Sequence, residues 1–209
     1  FYLDIIKDRL YVSKPNDPGR RAAQTVLYDA LLAVTKLIAP ILPHTADEVW
    51  KHTPVVDEIS VQLTDMPEAD ASLFDEAFEA KWMKLIDVRD EVNKALEDAR
   101  NRKVIGNSLS AQVHLYPDEK TARLLAGFDR LELLFIVSQA IIHPAGEAAP
   151  QEALALKGAS ILVLPAEGEK CERCWNVTRD VGTVAEHPTL CARCGHIMQQ
   201  WTPPAESQE

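Results

Sequence analysis

Apolar residues recur at helical spacing through most of the first half of the chain. Ala23, Val26, Leu27, Ala30, Leu31, Val34, Leu37 and Ile38 fall on one stripe. Asp17-Pro18 ahead of them has the form of an N-cap followed by proline at the first helical position, which predicts an amphipathic helix from residue 18. Pro40 and Pro43 end it. Thr45, with Glu48 three residues on, has the capping-box pattern and predicts a short helix through Val49 and Trp50. Leu3, Ile6 and Leu10 give residues 1–11 the apolar face of the end of an earlier helix. A second stripe of Phe78, Trp82, Leu85, Val92, Leu96 and Ala99 predicts the longest helix, over about 75–102. Trp50 and Trp82 sit on these stripes and are assigned to core. The helices are expected to stack as a bundle.

The period then changes from helical to extended. Leu109, Ala111, Val113 and Leu115 alternate between Gly106-Asn107 and Pro117-Asp118, which predicts a strand. A helix over 119–126 follows, and the apolar runs at 133–137 and 161–164 suit buried strands. The Ala-, Gly- and Pro-rich stretch at 144–151 reads as a loop. The expected fold is mainly α: a helical domain over 1–103, a small α/β unit over 104–168, a cysteine knuckle over 169–201 and a flexible tail over 202–209.

With 46% apolar and 26% charged residues, the composition is that of a folded globular protein. No apolar run reaches the roughly 18–20 residues that span a bilayer, and the opening has no basic n-region. A cytoplasmic, membrane-free protein is expected. The start in mid-helix without Met reads as part of a longer polypeptide. The net charge of −10 argues against a nucleic-acid partner until its distribution is considered. Residues 54–80 carry −8, whereas 1–53 carry +1 and 81–110 carry +2. The acid is gathered in one solvent-facing link, which leaves two near-neutral helical blocks able to meet RNA.

Cys171-Glu-Arg-Cys174 and Cys191-Ala-Arg-Cys194 are two knuckle pairs with sixteen residues between them, the spacing of a four-cysteine zinc site. Two such turns supply a closed tetrahedron of thiolates, so a single structural Zn²⁺ is expected rather than a catalytic one. Two disulfides or four buried thiols are the alternatives. His187 and His196 lie nearby, but four thiolates already complete the shell. Lys170, Arg173, Arg179 and Arg193 can offset the charge of the site. Arg173 and Trp175 at the knuckle tip have a second reading: an exposed indole stacks on an unpaired base, and Arg pairs with phosphate or stacks. Arg179 is grouped with them. Lys14, Arg20 and Arg21 flank a helix N-terminus, where backbone N–H groups favour phosphate. Arg100, Arg102 and Lys103 end a helix, where its dipole favours cations; Arg102 and Lys103 are kept as candidate RNA contacts.

FYLDIIKDRLY at 1–11, LIAPILPHTADEVW at 37–50, EKCERCW at 169–175 and LCARC at 190–194 resemble the bacterial isoleucyl-tRNA synthetases over the whole chain. The first two stretches are shared in part with the valine and leucine enzymes. The knuckle sharpens the choice, because the valine enzymes typically end in a coiled coil. The resemblance implies a helical anticodon-binding domain and a zinc knuckle from a monomeric, cytoplasmic enzyme that joins isoleucine to its tRNA using ATP and Mg²⁺. HIGH-like and KMSKS-like signatures are absent from this sequence, so the chain itself is expected to bind tRNA and not to catalyse. The missing catalytic domain of the same polypeptide is the other expected partner. The family pattern carries tRNA contact onto Arg173 and Trp175. A formamidopyrimidine-type DNA glycosylase ends in a similar knuckle but uses an N-terminal proline nucleophile, and a purely structural docking module is the third possibility.

Overall fold

The computed structural model describes residues 1–200, so Trp201 and the tail expected at 202–209 lie outside the described residues. The chain divides into two compact units: Pro15–Asp75, and Phe1–Lys14 together with the chain from Glu76 onward. Helices hold 47% of the described residues. The second unit also holds a small four-stranded mixed sheet, so "mainly α" is a rough description.

In the unit at 15–75, helix α3 (Pro18–Ile38) starts as its sequence predicts: the Asp17 carboxylate accepts from Arg20 N–H at 2.9 Å, and Pro18 occupies the first turn. Helix α4 (Pro43–Lys51) starts two residues before the expected Thr45 cap, with no side-chain cap at Leu42. Proline's fixed φ suits the first helical position, so Pro43 begins this helix rather than ending the last one. Ala39, Ala46, Trp50 and Val61 form the buried centre, with Leu32, Ile38 and Val56 against it. Trp50 is buried as expected and donates from Nε1 to the Glu58 carbonyl at 2.8 Å. Ser60 donates to Asp47 at 2.6 Å. The acidic stretch is therefore more than a link: its acids are exposed, but Val61 and these bonds tie its first part to α4. The expected stripe of α3 is split. Ala23 of the stripe is buried, whereas Val26, Val34 and Leu37 remain 51%, 55% and 56% exposed, and Thr35, off the stripe, is buried.

In the other unit, α1 (Tyr2–Ile5) and α2 (Lys7–Tyr11) form the opening segment. The long helix α5 (Glu76–Asn101) packs on the sheet rather than in a helical bundle. Its Leu85, Val92, Leu96 and Ala99 share one core with Val113, Leu115, Ile161 and Val163. The expected domain boundary at 103 thus falls inside a packed unit, because the apolar face of α5 is the cover of the sheet. Each large side chain fully buried there contributes about 1.5–3 kcal/mol. Trp82 is half-buried, edge-on to Phe128 at 5.5 Å.

Strand β1 (Ala111–Pro117) alternates buried and half-buried positions as its sequence predicts. Leu109 belongs instead to a 3-10 turn capped by Asn107, which accepts from Ser110 N–H at 3.1 Å. Helix α6 (Glu119–Leu125) agrees with expectation. The run at 133–137 does not form a strand: Leu131–Phe135 is helix α7, closed by Ile136 in the left-handed region at φ 55°. A five-residue apolar run fits either period, and the Arg89 Nε–H bond to the Leu134 carbonyl at 3.0 Å ties this turn to α5. Strand β2 (Gln139–Ile142) follows and lies parallel to β1. Strands β3 (Leu154–Leu156) and β4 (Ala159–Pro165) complete the order β2-β1-β4-β3, with β4 antiparallel to both neighbours.

Candidate metal centre and nucleic-acid interface

The chain enters the knuckle at Gly168, where φ is +117° and a Cβ would stand 2.2 Å from the Thr178 carbonyl oxygen. Only glycine fits that crossing. Short strands β5 (Glu169–Lys170) and β6 (Val177–Thr178) pair around the first cysteine turn, and helix α8 (Ala192–Gln199) starts at Cys191. Backbone bonds shape both turns. Trp175 N–H donates to the Cys171 carbonyl and Gly195 N–H to the Cys191 carbonyl, each at 2.9 Å. Asp180 accepts from Ala192 N–H at 3.1 Å, supplying the first turn of α8 with a carboxylate.

All four sulfurs lie within 4.8 Å of one another, and Cys174 Sγ stands 3.8 Å from Cys191 Sγ. Four Zn–S bonds of about 2.3 Å in a tetrahedron require sulfur separations of about 3.8 Å. The set therefore fits zinc, and no cysteine is in a disulfide. His187 and His196 are not members of this cluster. The thiols are unequal: the hydrogen bond from Cys194 pulls Cys174 down to about 5, while burial pushes Cys191 up to about 11. Cys194 is raised too, by its bond to Cys174 and then by burial. A bound divalent cation is what would let all four ionise together.

The knuckle holds the opening segment of the chain. Arg193 makes a two-pronged pair with Asp8, both contacts at 2.7 Å, and this pair keeps the guanidinium charged despite its burial. Arg173 Nη1 donates to the Val12 carbonyl at 2.7 Å and approaches Cys194 Sγ at 3.8 Å. Val12 is buried with Cys171, Cys191, Cys194 and Ile197. Lys14 bonds to Gln200. Sequence reasoning weighed Arg193 only as a counter-charge and missed Asp8 and Val12, because nothing local in the sequence links partners more than 160 positions apart.

The candidate RNA contacts separate into groups. Trp175 is 61% exposed, sits at φ 66° and has Lys170 Nζ 5.5 Å from its ring centroid. It borders an apolar recess of about 520 Å³, with Arg173, Tyr11, Leu133, Ile136 and Val137 among its walls. Arg173 lines this recess but is engaged as described, and Lys14 is bonded to Gln200. Arg179 is exposed and paired with Glu167. Arg20 and Arg21 lie in the first turn of α3 in the other unit, Arg21 reaching Gln24 at 3.1 Å. Arg102 pairs with Asp98 at 2.8 Å, and Lys103 is exposed at φ 59° just past α5.

Residues 1–115 match the family described as the anticodon-binding domain of tRNA ligase. The chain belongs to that family. Residues 168–196 match the zinc finger found in FPG and IleRS, in agreement with the sulfur geometry. The chain is similar to isoleucine–tRNA ligases, 53% identical to that of Geobacillus kaustophilus over 96% of its length and 54% identical to that of Halalkalibacterium halodurans over 95%. It spans about 22% of the length of these curated relatives. The anticodon-domain match leaves the glycosylase alternative without support, since the finger is common to both families.

Proposed function

We propose that this chain is the tRNA-reading, non-catalytic part of an isoleucine–tRNA ligase, and that Trp175 with the recess beside it receives an unpaired base of the anticodon region. The observation that carries this reading is an exposed indole held in the left-handed region within an anticodon-binding chain. A non-glycine residue there costs about 1–2 kcal/mol. The four thiolates hold one structural Zn²⁺, whose chemistry is to fix the two turns that present Arg173 and Trp175. Arg179 and Lys14 reach phosphates next to this site. Arg20, Arg21, Arg102 and Lys103 add backbone contacts elsewhere on the RNA.

The partner is an isoleucine tRNA. ATP and Mg²⁺ belong to the catalytic part of the longer, monomeric, cytoplasmic enzyme. Within the chain, residues 1–103 serve anticodon binding without forming a unit of their own, the sheet in 104–168 supports α5, and 169–201 serves as the knuckle. Nuclease footprinting of isoleucine tRNA with the zinc-loaded chain tests the reading. Protection of the anticodon loop is expected, and protection confined to other regions contradicts it.

A second reading is favoured by the Arg193–Asp8 and Arg173–Val12 bonds: the knuckle is also a clasp on the segment leading into α3. The two roles share Arg173 and otherwise use different groups. The clasp uses Arg193 and Asp8, and the RNA contact uses the exposed indole.

A further inference from the structure

Two histidines on the outward face of the sheet meet head-on. His114 lies on β1, and His143 follows β2, its backbone N–H donating to the Leu115 carbonyl at 2.8 Å. The ring centroids are 5.3 Å apart while His114 Nδ1 and His143 Nε2 are 3.0 Å apart, so an N–H on one ring points along the line to the lone pair of the other. The far nitrogen of His143, Nδ1, stands 3.0 Å from Glu147 Oε1. An ionised carboxylate only accepts, so His143 Nδ1 carries a proton and, in the neutral pair, His114 Nδ1–H donates to His143 Nε2. Tyr116 stacks on the His143 ring at 4.0 Å with an 11° interplanar angle, fixing its plane. Through His143 and Glu147 the loop between β2 and β3, residues 143–153, is tied to β1.

This chain of groups takes one added proton without losing a bond. Whichever ring holds it, one N–H still faces one lone pair between the two histidines. A second proton leaves two N–H groups facing each other at 3.0 Å with no acceptor between them. Burial first, and then the neighbouring His143, hold the pKa of His114 below its ordinary 6.5. Among the described residues, the titratable groups facing the rings are Glu147 from the loop and Tyr116 from β1. β4 sets Leu162 opposite His114 and Ser160 opposite Tyr116, and β2 sets Ile141 opposite His114, so the flanking strands bring no charge to the pair.

We propose that the hydrogen-bonded pair is a proton-operated latch, which holds the loop at 143–153 on β1 near neutrality and releases it in mild acid, when both rings are charged. With the loop open each ring titrates alone; with it closed the second proton is resisted. Opening is therefore coupled to the uptake of one proton. It begins as pH falls through about 6.5, increases by up to about tenfold per pH unit, and levels off below the lowered value of the closed form. The latch shares no residue with the sulfur cluster or with the recess beside Trp175.

Hydrogen exchange of the zinc-loaded chain between pH 8 and 5, corrected for intrinsic rates and with zinc retention checked at each pH, reads the latch. The reporters are the His143 and Glu147 backbone N–H groups, bonded to the Leu115 and Pro144 carbonyls. Their protection should fall together with the second titration step of the pair, followed by the imidazole resonances of the same samples. His114→Asn sets an amide near the place of Nδ1, able to donate or to accept but not to titrate. It should keep the protection seen at neutral pH and carry it unchanged to pH 5. The unaltered chain tests the latch even if the variant folds poorly. Protection that stays flat to pH 5 in the unaltered chain, or release at the same pH in His114→Asn, overturns the proposal.

Discussion

Replacing Trp175 by alanine and by glycine separates RNA contact from packing, because the two substitutions remove the same ring and differ in backbone strain. Both lose the indole and its Lys170 contact. Alanine keeps the Cβ that makes φ 66° unfavourable, whereas glycine does not. Glycine gains about 1–2 kcal/mol from that relief and gives back about 0.5–1 kcal/mol through its freer unfolded chain. Trp175→Gly should therefore be more stable than Trp175→Ala by about 0.5–1 kcal/mol in thermal unfolding of the zinc-loaded chain. Losing a base-stacking aromatic weakens single-stranded binding by about 1–3 kcal/mol, or roughly 5- to 150-fold. Titration of isoleucine tRNA at one fixed salt concentration should show that loss equally in both variants. If affinity instead follows stability, with glycine less impaired than alanine, the indole acts through the fold; if neither loses affinity, it does not touch RNA.

Other consequences follow from the same geometry. Asp8→Asn should destabilise the chain by about 1–3 kcal/mol, a figure reduced from that of a fully buried pair because Arg193 and Asp8 are 31% and 19% exposed; hydrogen exchange at Val12 N–H should accelerate as the segment is released. Gly195→Ala would place a Cβ 2.8 Å from Val184 Cβ and Cγ2, and a loss of about 1–3 kcal/mol with zinc retained is expected from this overpacking. Asp118 caps α6 by accepting from Thr121 N–H at 2.7 Å, and that bond lowers its pKa. Its stabilisation is therefore full above the ordinary carboxylate pKa and is lost as pH falls through the lowered folded value. Asp118→Ala should cost about 1 kcal/mol near neutrality and progressively less in acid, as read by urea unfolding at several pH values.

The parts of the structure legible in sequence are those set by near neighbours along the chain. Cys171, Cys174, Cys191 and Cys194 declare a metal site by spacing, and Asp17-Pro18 marks a helix start by local hydrogen-bonding capacity. The alternation through Val113 and Leu115 gives β1 directly. By contrast, the stripe of α5 shows that a face is buried but not that its cover is a sheet. Leu131–Phe135 is too short for its period to distinguish helix from strand, and a contact with Arg89, 45 positions away, accompanies the helical outcome. The Asp8–Arg193 clasp joins residues 185 positions apart, so no local pattern announces it. Val34 and Leu37 lie on the predicted stripe and are exposed, since periodicity marks an apolar face and not what covers it.

The most direct test of the central claim compares zinc-loaded chain binding to isoleucine tRNA and to the same tRNA with a swapped anticodon, at one salt concentration because phosphate contacts are strongly salt-dependent. Anticodon reading predicts clearly tighter binding to the native sequence. Equal affinity for the two would contradict it and leave the chain as a positioner of the RNA backbone.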